Sequence, residues 1–259
     1  MTRTNVVTGA ASGIGKATAQ LLASRGENVI TVDIHNADIT ADLSTEEGRN
    51  HYVEHIHART AGKIDAVYAI AGLALPEPAT IAVNYFGALA TITPLHDLLV
   101  ESDSPRVVLT SSIASYMGYD EPLLNALLHN DEPYALQLAQ ELAADDLRKN
   151  LIYGTSKHAL TRWIRANAVK DEWAGRGIAV NGVAPGLIRT PMTQDLLAND
   201  ESRTAVEEQC PAPYHGPVAQ PEWIASTLAF LGSPDNMFIT GQVLFTDGGA
   251  EALARPELV

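Results

Sequence analysis

Along most of this chain, short β-branched apolar runs alternate with stretches in which apolar residues recur every three to four positions. Asn5-Val6-Val7 is followed by Ile14, Ala17, Thr18 and Leu21 at helical spacing; then come the runs Asn28 to Val32, Ile64 to Ala71 and Arg106 to Thr110. Near the end, Ile224, Thr227, Leu228 and Leu231 mark one face of a helix that starts at Pro221. Strands alternating with helices predict an α/β fold: one doubly wound parallel sheet with helices on both faces. A further helix is expected from Ile81 through Leu89, interrupted at Pro94. Ala135, Leu138, Ala139 and Leu142 repeat the i, i+3, i+4, i+7 pattern of a packed helix face, and from Thr190 to Pro221 the periodicity fades.

Composition narrows the picture. With 259 residues, 46% hydrophobic and 19% charged, the chain can bury a large core, and no linker, repeat or composition shift divides it, so one domain over 1–259 is expected. A net charge of −14 argues against nucleic acid and anionic membrane surfaces as partners. The longest apolar stretch, Ala66 to Leu75, is too short to cross a bilayer, and the start of the chain leaves no room for a secretory leader. One cysteine, Cys210, forbids an intramolecular disulfide and suits a reducing compartment, so a cytoplasmic location is expected. His51, His55 and His57 lack an accompanying carboxylate or cysteine set, and no metal site is assigned.

Three constellations carry chemistry. Thr8 to Gly15, Thr-Gly-Ala-Ala-Ser-Gly-Ile-Gly, lies between a strand and a helix start, where Gly9, Gly13 and Gly15 let the backbone turn tightly and present N–H groups to an anion such as a pyrophosphate. At the end of the second strand, 18 positions after Gly15, Asp33 is placed to accept hydrogen bonds from ribose hydroxyls and to repel the extra phosphate of NADP, which points to NAD. Tyr153 and Lys157 are four apart, side by side on one helix face; an adjacent cation would stabilise the phenolate and make Tyr153 a general acid/base.

Taken together with Asp42-Leu43, Val83-Asn84, Ser111-Ser112, Val180 to Gly186 and Thr240-Gly241-Gln242 to Gly249, these segments resemble the short-chain dehydrogenase/reductase family from about Asn5 to Gly249, which implies a Rossmann-type sheet and hydride chemistry with NAD. By that resemblance Tyr153 exchanges the proton at the substrate oxygen and Lys157 lowers its pKa and binds the nicotinamide ribose. Ser112 orients the carbonyl, and Asn84 holds the helix and water of a proton relay. The resemblance places the cofactor on Gly9, Ser12, Gly13, Ile14, Gly15, Asp33, Asp42, Leu43, Gly72, Tyr153, Lys157, Gly186, Ile188 and Thr190, with Asp42 and Leu43 flanking the adenine. One departure stands out: the family's Asn-Asn-Ala-Gly is here Ala69-Ile70-Ala71-Gly72, without two side-chain amides.

The expected reaction interconverts a secondary alcohol and a ketone. Within the family the likeness is to bacterial 3α-hydroxysteroid dehydrogenase/carbonyl reductases, carried by Ala41 to Arg49, Val83 to Ala88, the stretch before Tyr153 and a tail containing Arg255-Pro256. A 3α-hydroxysteroid or bulky ketone is the expected substrate, with a substrate loop at about 190–220. A general reductase of aromatic ketones or quinones is the alternative. A nonenzymatic dinucleotide sensor and a sugar-nucleotide epimerase are more distant readings. The leucine-rich insertion at about 118–150 is expected to cover the family's tetramer-forming helices, leaving a homodimer.

Overall fold

The computed structural model describes residues 2–257. Seven strands form one parallel sheet in the order β3-β2-β1-β4-β5-β6-β9. These are β1 (Thr4–Thr8), β2 (Asn28–Asp33), β3 (Ile39–Thr40), β4 (Ala66–Ala69), β5 (Arg106–Thr110), β6 (Ala179–Pro185) and β9 (Val243–Thr246). Between the last two, β7 (Leu187–Ile188) and β8 (Val218–Ala219) pair with each other in a small separate parallel sheet. The strand order reverses direction between β1 and β4, the kind of switch point where open α/β sheets leave a crevice beyond the strand ends.

The pleat sorts alternate side chains onto two cores, as helices covering both faces require. Val6, Val67, Val107 and Leu109 point to one face, with Tyr52, Ile56, Tyr85, Ile152 and Ile164 packed over them. Val7, Tyr68, Val108 and Val183 point to the other, beneath Leu22, Ile224, Leu228 and Leu231. The helix Glu46–Arg59 is polar almost throughout and buries only Tyr52 and Ile56, which lie four apart. Its ends are set by charge and capping: Thr45 accepts from the Gly48 N–H, Glu46 and Glu47 occupy the first turn, and Arg59 the last.

The helix expected from Ile81 onward is present, but not as one regular α-helix. Pro78–Ile81 opens it, Ala82–Gly87 is a π-helical turn, and a 3₁₀ turn at Thr93–Leu95 carries Pro94. The insertion forms two helices, Glu121–Leu128 and Glu132–Ala143, started by Asp120 and Asp131, whose carboxylates accept from Leu123 and Tyr134 N–H. Leu123, Leu124, Leu127, Ala135, Ala139 and Leu142 all enter the first core, so the predicted helix face is turned into its own subunit, with Leu138 half-buried beside it. Between Thr190 and Pro221, where irregular chain was expected, Asp200–Gln209 is helical. None of its residues is buried, so its apolar positions leave no period to read.

Candidate active site

The strand ends and the glycine loop open onto one cavity of about 510 Å³. Every residue singled out above for cofactor or substrate lines it except Asn84, which stands behind the wall. In the loop, Gly9 has φ +69° and packs directly on the backbone of Ala71, a conformation and an approach that only glycine meets without strain. The helix that follows, Gly13–Ser24, has Ser12 as its N-cap, yet Ser12 makes no side-chain cap bond and the first turn carries no acidic residue. Its leading N–H groups are therefore left for an external anion.

Asp33 closes the adjoining wall. Its carboxylate accepts from Ala11 N–H at 2.9 Å and from Ile34 N–H at 2.7 Å, which locks it between the glycine loop and the end of β2. His35 Nδ1 is 3.6 Å from the same carboxylate. These features fit a dinucleotide: an anion seat at the helix start, and beside it a held carboxylate with lone pairs for ribose hydroxyls. Where the asparagine pair is missing, at the end of β4, the backbone is tied to β1: Thr8 Oγ1 accepts from Ile70 N–H at 3.0 Å and from Ala71 N–H at 3.1 Å.

The helix Leu151–Asn167 carries Tyr153 and Lys157 into the floor of the cavity. The Lys157 ammonium donates to the Thr110 carbonyl at 2.8 Å and lies 5.9 Å from the centre of the Tyr153 ring. Burial lowers Lys157 to about 8. Burial pushes the Tyr153 phenol above its ordinary value, and a hydrogen bond with Ser112 draws it part of the way back. Desolvation therefore acts on both groups, and it opposes the phenolate that the neighbouring ammonium was expected to favour. Ser112 Oγ also accepts from Ala114 N–H at 3.1 Å, which fixes the hydroxyl where β5 ends.

Asn84 is fully buried in the π-helical turn. Its side-chain carbonyl accepts from Leu73 N–H at 2.8 Å, and its amide donates to Leu73 O at 2.8 Å and to Ser156 Oγ at 3.0 Å. It clasps the loop after β4 to the helix of Tyr153. Gly72 fits into the narrow gap between them, where a Cβ would come 3.1 Å from Asn84 Oδ1 and 3.5 Å from Lys157 Nζ. Two contributors were missed in the sequence. Thr110 lies one residue before Ser111-Ser112, gives its carbonyl to Lys157 and leaves its own buried hydroxyl without a partner among the described residues, and a hydroxyl at that strand end was visible. Ala11 holds Asp33 through its backbone, for which no side-chain signal exists.

Comparison with known proteins agrees with this geometry. The family model described as enoyl-(acyl carrier protein) reductase matches residues 9–251. A 3-alpha-hydroxysteroid dehydrogenase/carbonyl reductase of Comamonas testosteroni is 34% identical over 257 residues, covering 97% of each chain. A 3-oxoacyl-(acyl-carrier-protein) reductase of Vibrio cholerae is 31% identical over 94% of this chain and 95% of its own. Among solved structures, the 3-alpha-hydroxysteroid dehydrogenase of Pseudomonas sp. B-0831, complexed with NADH, superposes with a TM-score of 0.90 at 37% identity, over 99% of this chain and 100% of that one. Motifs, sheet order and relatives converge: the chain belongs to the short-chain dehydrogenase/reductase family.

Proposed function

We propose that this protein is an NAD(H)-dependent oxidoreductase that interconverts a secondary alcohol and a ketone, acting on a 3α-hydroxysteroid/3-ketosteroid or a similarly bulky carbonyl compound. The observation that carries the reading is that Ser112, Tyr153 and Lys157 line the same cavity as the glycine loop and Asp33. NAD, when bound, supplies or accepts the hydride at the substrate carbon. Gly9, Ser12, Gly13, Ile14 and Gly15 would seat its phosphates and Asp33 its adenosine ribose. Asp42 and Leu43 would flank the adenine, with Gly72, Gly186, Ile188, Thr190 and Lys157 along the nicotinamide side.

In reduction, Ser112 and Tyr153 donate hydrogen bonds to the carbonyl oxygen, and the Tyr153 proton passes to that oxygen as negative charge develops on it. In oxidation the same phenol oxygen takes the alcohol's proton. Lys157 stands next to the phenolate so formed. Asn84, tied to Leu73 and Ser156, keeps the helix of Tyr153 in register with the loop after β4.

The substrate assignment rests on the chemistry of the entrance as well as on the relatives. Met192, which lines the cavity, and Tyr214, which lines a neighbouring cavity that shares Gly186 and Ile188 with it, are exposed and favour a flat apolar ring system over a phosphate-bearing acyl carrier. The test is oxidation of androsterone with NAD beside reduction of simple aromatic ketones with NADH. Activity confined to the ketones would remove the steroid assignment and leave a general carbonyl reductase.

The same reading makes the protein a cytoplasmic homodimer of one domain. The buried insertion helices lie beside the helix Leu151–Asn167 and would keep a second copy off that face. Phe238, Met237 and Phe230, exposed in and beside the loop leading to β9, remain for a partner. Among the described residues no helix is long and apolar enough to cross a membrane.

A further inference from the structure

Outside the cavity, the guanidinium of Arg49 joins three segments that are far apart in the chain. Arg49 extends from the first turns of the helix Glu46–Arg59, with its side chain 12% exposed. Its Nε donates to the Leu43 carbonyl at 2.8 Å, and Nη2 donates to the Ala82 carbonyl at 2.9 Å. Nη1 and Nη2 together hold the Glu132 carboxylate, at 2.7 and 2.8 Å. Leu43 belongs to the cavity wall, Ala82 opens the π-helical turn that contains Asn84, and Glu132 is the first residue of the second insertion helix.

The contact between the first two is close. A Cβ on Gly87, at the far end of the π-helical turn, would come 2.9 Å from the Leu43 carbonyl oxygen. Next to Leu43, one oxygen of the Asp42 carboxylate accepts from the Ser44 N–H and hydroxyl, at 2.9 and 2.6 Å. The other has no partner among the described residues, and Asp42 faces the cavity.

We infer that Arg49 is a positioning residue for the adenine end of the cofactor, and that the insertion reaches the cofactor site through its bidentate pair with Glu132. The inference rests on the cofactor reading above and adds to it. A planar fork with fixed donor directions meets three acceptors at once, and no other cation can do so; loss of Arg49 frees two carbonyls and a carboxylate. The lip formed by Asp42 and Leu43 then loses the support that sets its distance from the base. A free carboxylate oxygen at that lip recognises an exocyclic amino group, the group that distinguishes adenine from hypoxanthine.

The test compares NADH with its hypoxanthine analogue, by fluorescence titration of binding and by steady-state kinetics. The wild type is expected to bind NADH about tenfold more tightly than the analogue, the worth of one hydrogen bond to a charged group. Arg49→Met should raise Kd and KM for NADH about tenfold with kcat within about twofold, and bring the ratio between the two dinucleotides close to one. Arg49→Lys should not restore the ratio, and Glu132→Gln should lower it part of the way, which keeps the test open should Arg49→Met fold poorly. An unchanged ratio in folded Arg49→Met or Glu132→Gln, or a fall in kcat shared equally by both dinucleotides, would overturn the inference. A wild type that binds both dinucleotides alike removes the Arg49 role alone, whereas one that binds neither removes the cofactor reading itself.

Discussion

Replacing Lys157 by methionine should make the protein more stable at neutral pH while largely silencing it. The ordinary lysine value of 10.5 falls to about 8 in the folded protein because the ammonium is buried. At about 1.4 kcal/mol per tenfold change, the folded state carries about 3 kcal/mol of unfavourable charge burial at pH 7. The sign follows from proton counting. Between about pH 8 and 10.5 the unfolded chain binds the proton more fully than the folded one, so the cost is complete below pH 8 and is relieved as pH rises toward 10.5. At pH 9.5 about 1 kcal/mol of it remains. Against this gain the variant loses the hydrogen bond to the Thr110 carbonyl, which contributes about 1 to 2 kcal/mol. The net expectation for Lys157→Met is a gain of about 1 to 2 kcal/mol at pH 7, roughly 3 to 6 °C in Tm, and about zero at pH 9.5. Thermal unfolding of the cofactor-free protein at the two pH values measures this, alongside a fall in turnover of about 10² or more. Lower stability at pH 7, or a difference that does not change with pH, would show that packing of the side chain, and not its charge, sets the balance. The trade is the usual one at an active site, where a group kept for chemistry is unfavourable for folding.

Three further outcomes test the site and the assembly. NADH should be preferred over NADPH by about tenfold to a hundredfold, because Asp33 would face the extra phosphate with only His35 beside it; equal efficiency with both would defeat the assignment. Tyr153→Phe should leave NADH binding nearly intact and lower turnover about 10² to 10⁴-fold, and a variant that keeps most of the rate would show the phenol to be misassigned. Light scattering should give a dimer, and a stable tetramer would mean that the insertion helices do not keep a second copy away.

What the sequence made legible was local. β1, β2 and β5 are β-branched runs with sharp ends, and the loop from Thr8 to Gly15 announces itself through Gly9 and Gly13, whose positive φ few other residues adopt cheaply, and Gly15, which packs against the Gly9 carbonyl. The features that escaped depend on partners distant in sequence. The two residues of β3 acquire strand geometry only by pairing with Val32 and Asp33. The helix Asp200–Gln209 has no buried face; its Asn199 cap and the pairs of Arg203 with Asp200 and Glu207 support it, and none of these produces an apolar period. The π-helical turn at Ala82–Gly87 is invisible to a 3.6-residue pattern, although Asn84, an awkward residue in mid-helix, marked its position.

The active-site pair shows where the division falls. A spacing of four guarantees that Tyr153 and Lys157 share a helix face, and to that extent the chemistry was readable. It does not say how much water reaches them. The depth of the helix against β5 decides that, and it pushes the phenol up and the ammonium down, so each favours its neutral form more than in water. The hydroxyl that pulls the phenol back toward ionisation is Ser112, 41 positions earlier on the end of β5, and the carbonyl that holds the ammonium is Thr110, two residues before it. Residue type and spacing therefore locate the proposed acid/base pair, whereas the burial and the strand end that bias its protonation are brought to it by the fold. A change at Ser112, whose side chain acts on the phenol, should consequently move the pH profile of turnover, and one on the exposed side of the same helix, such as Arg162, should not.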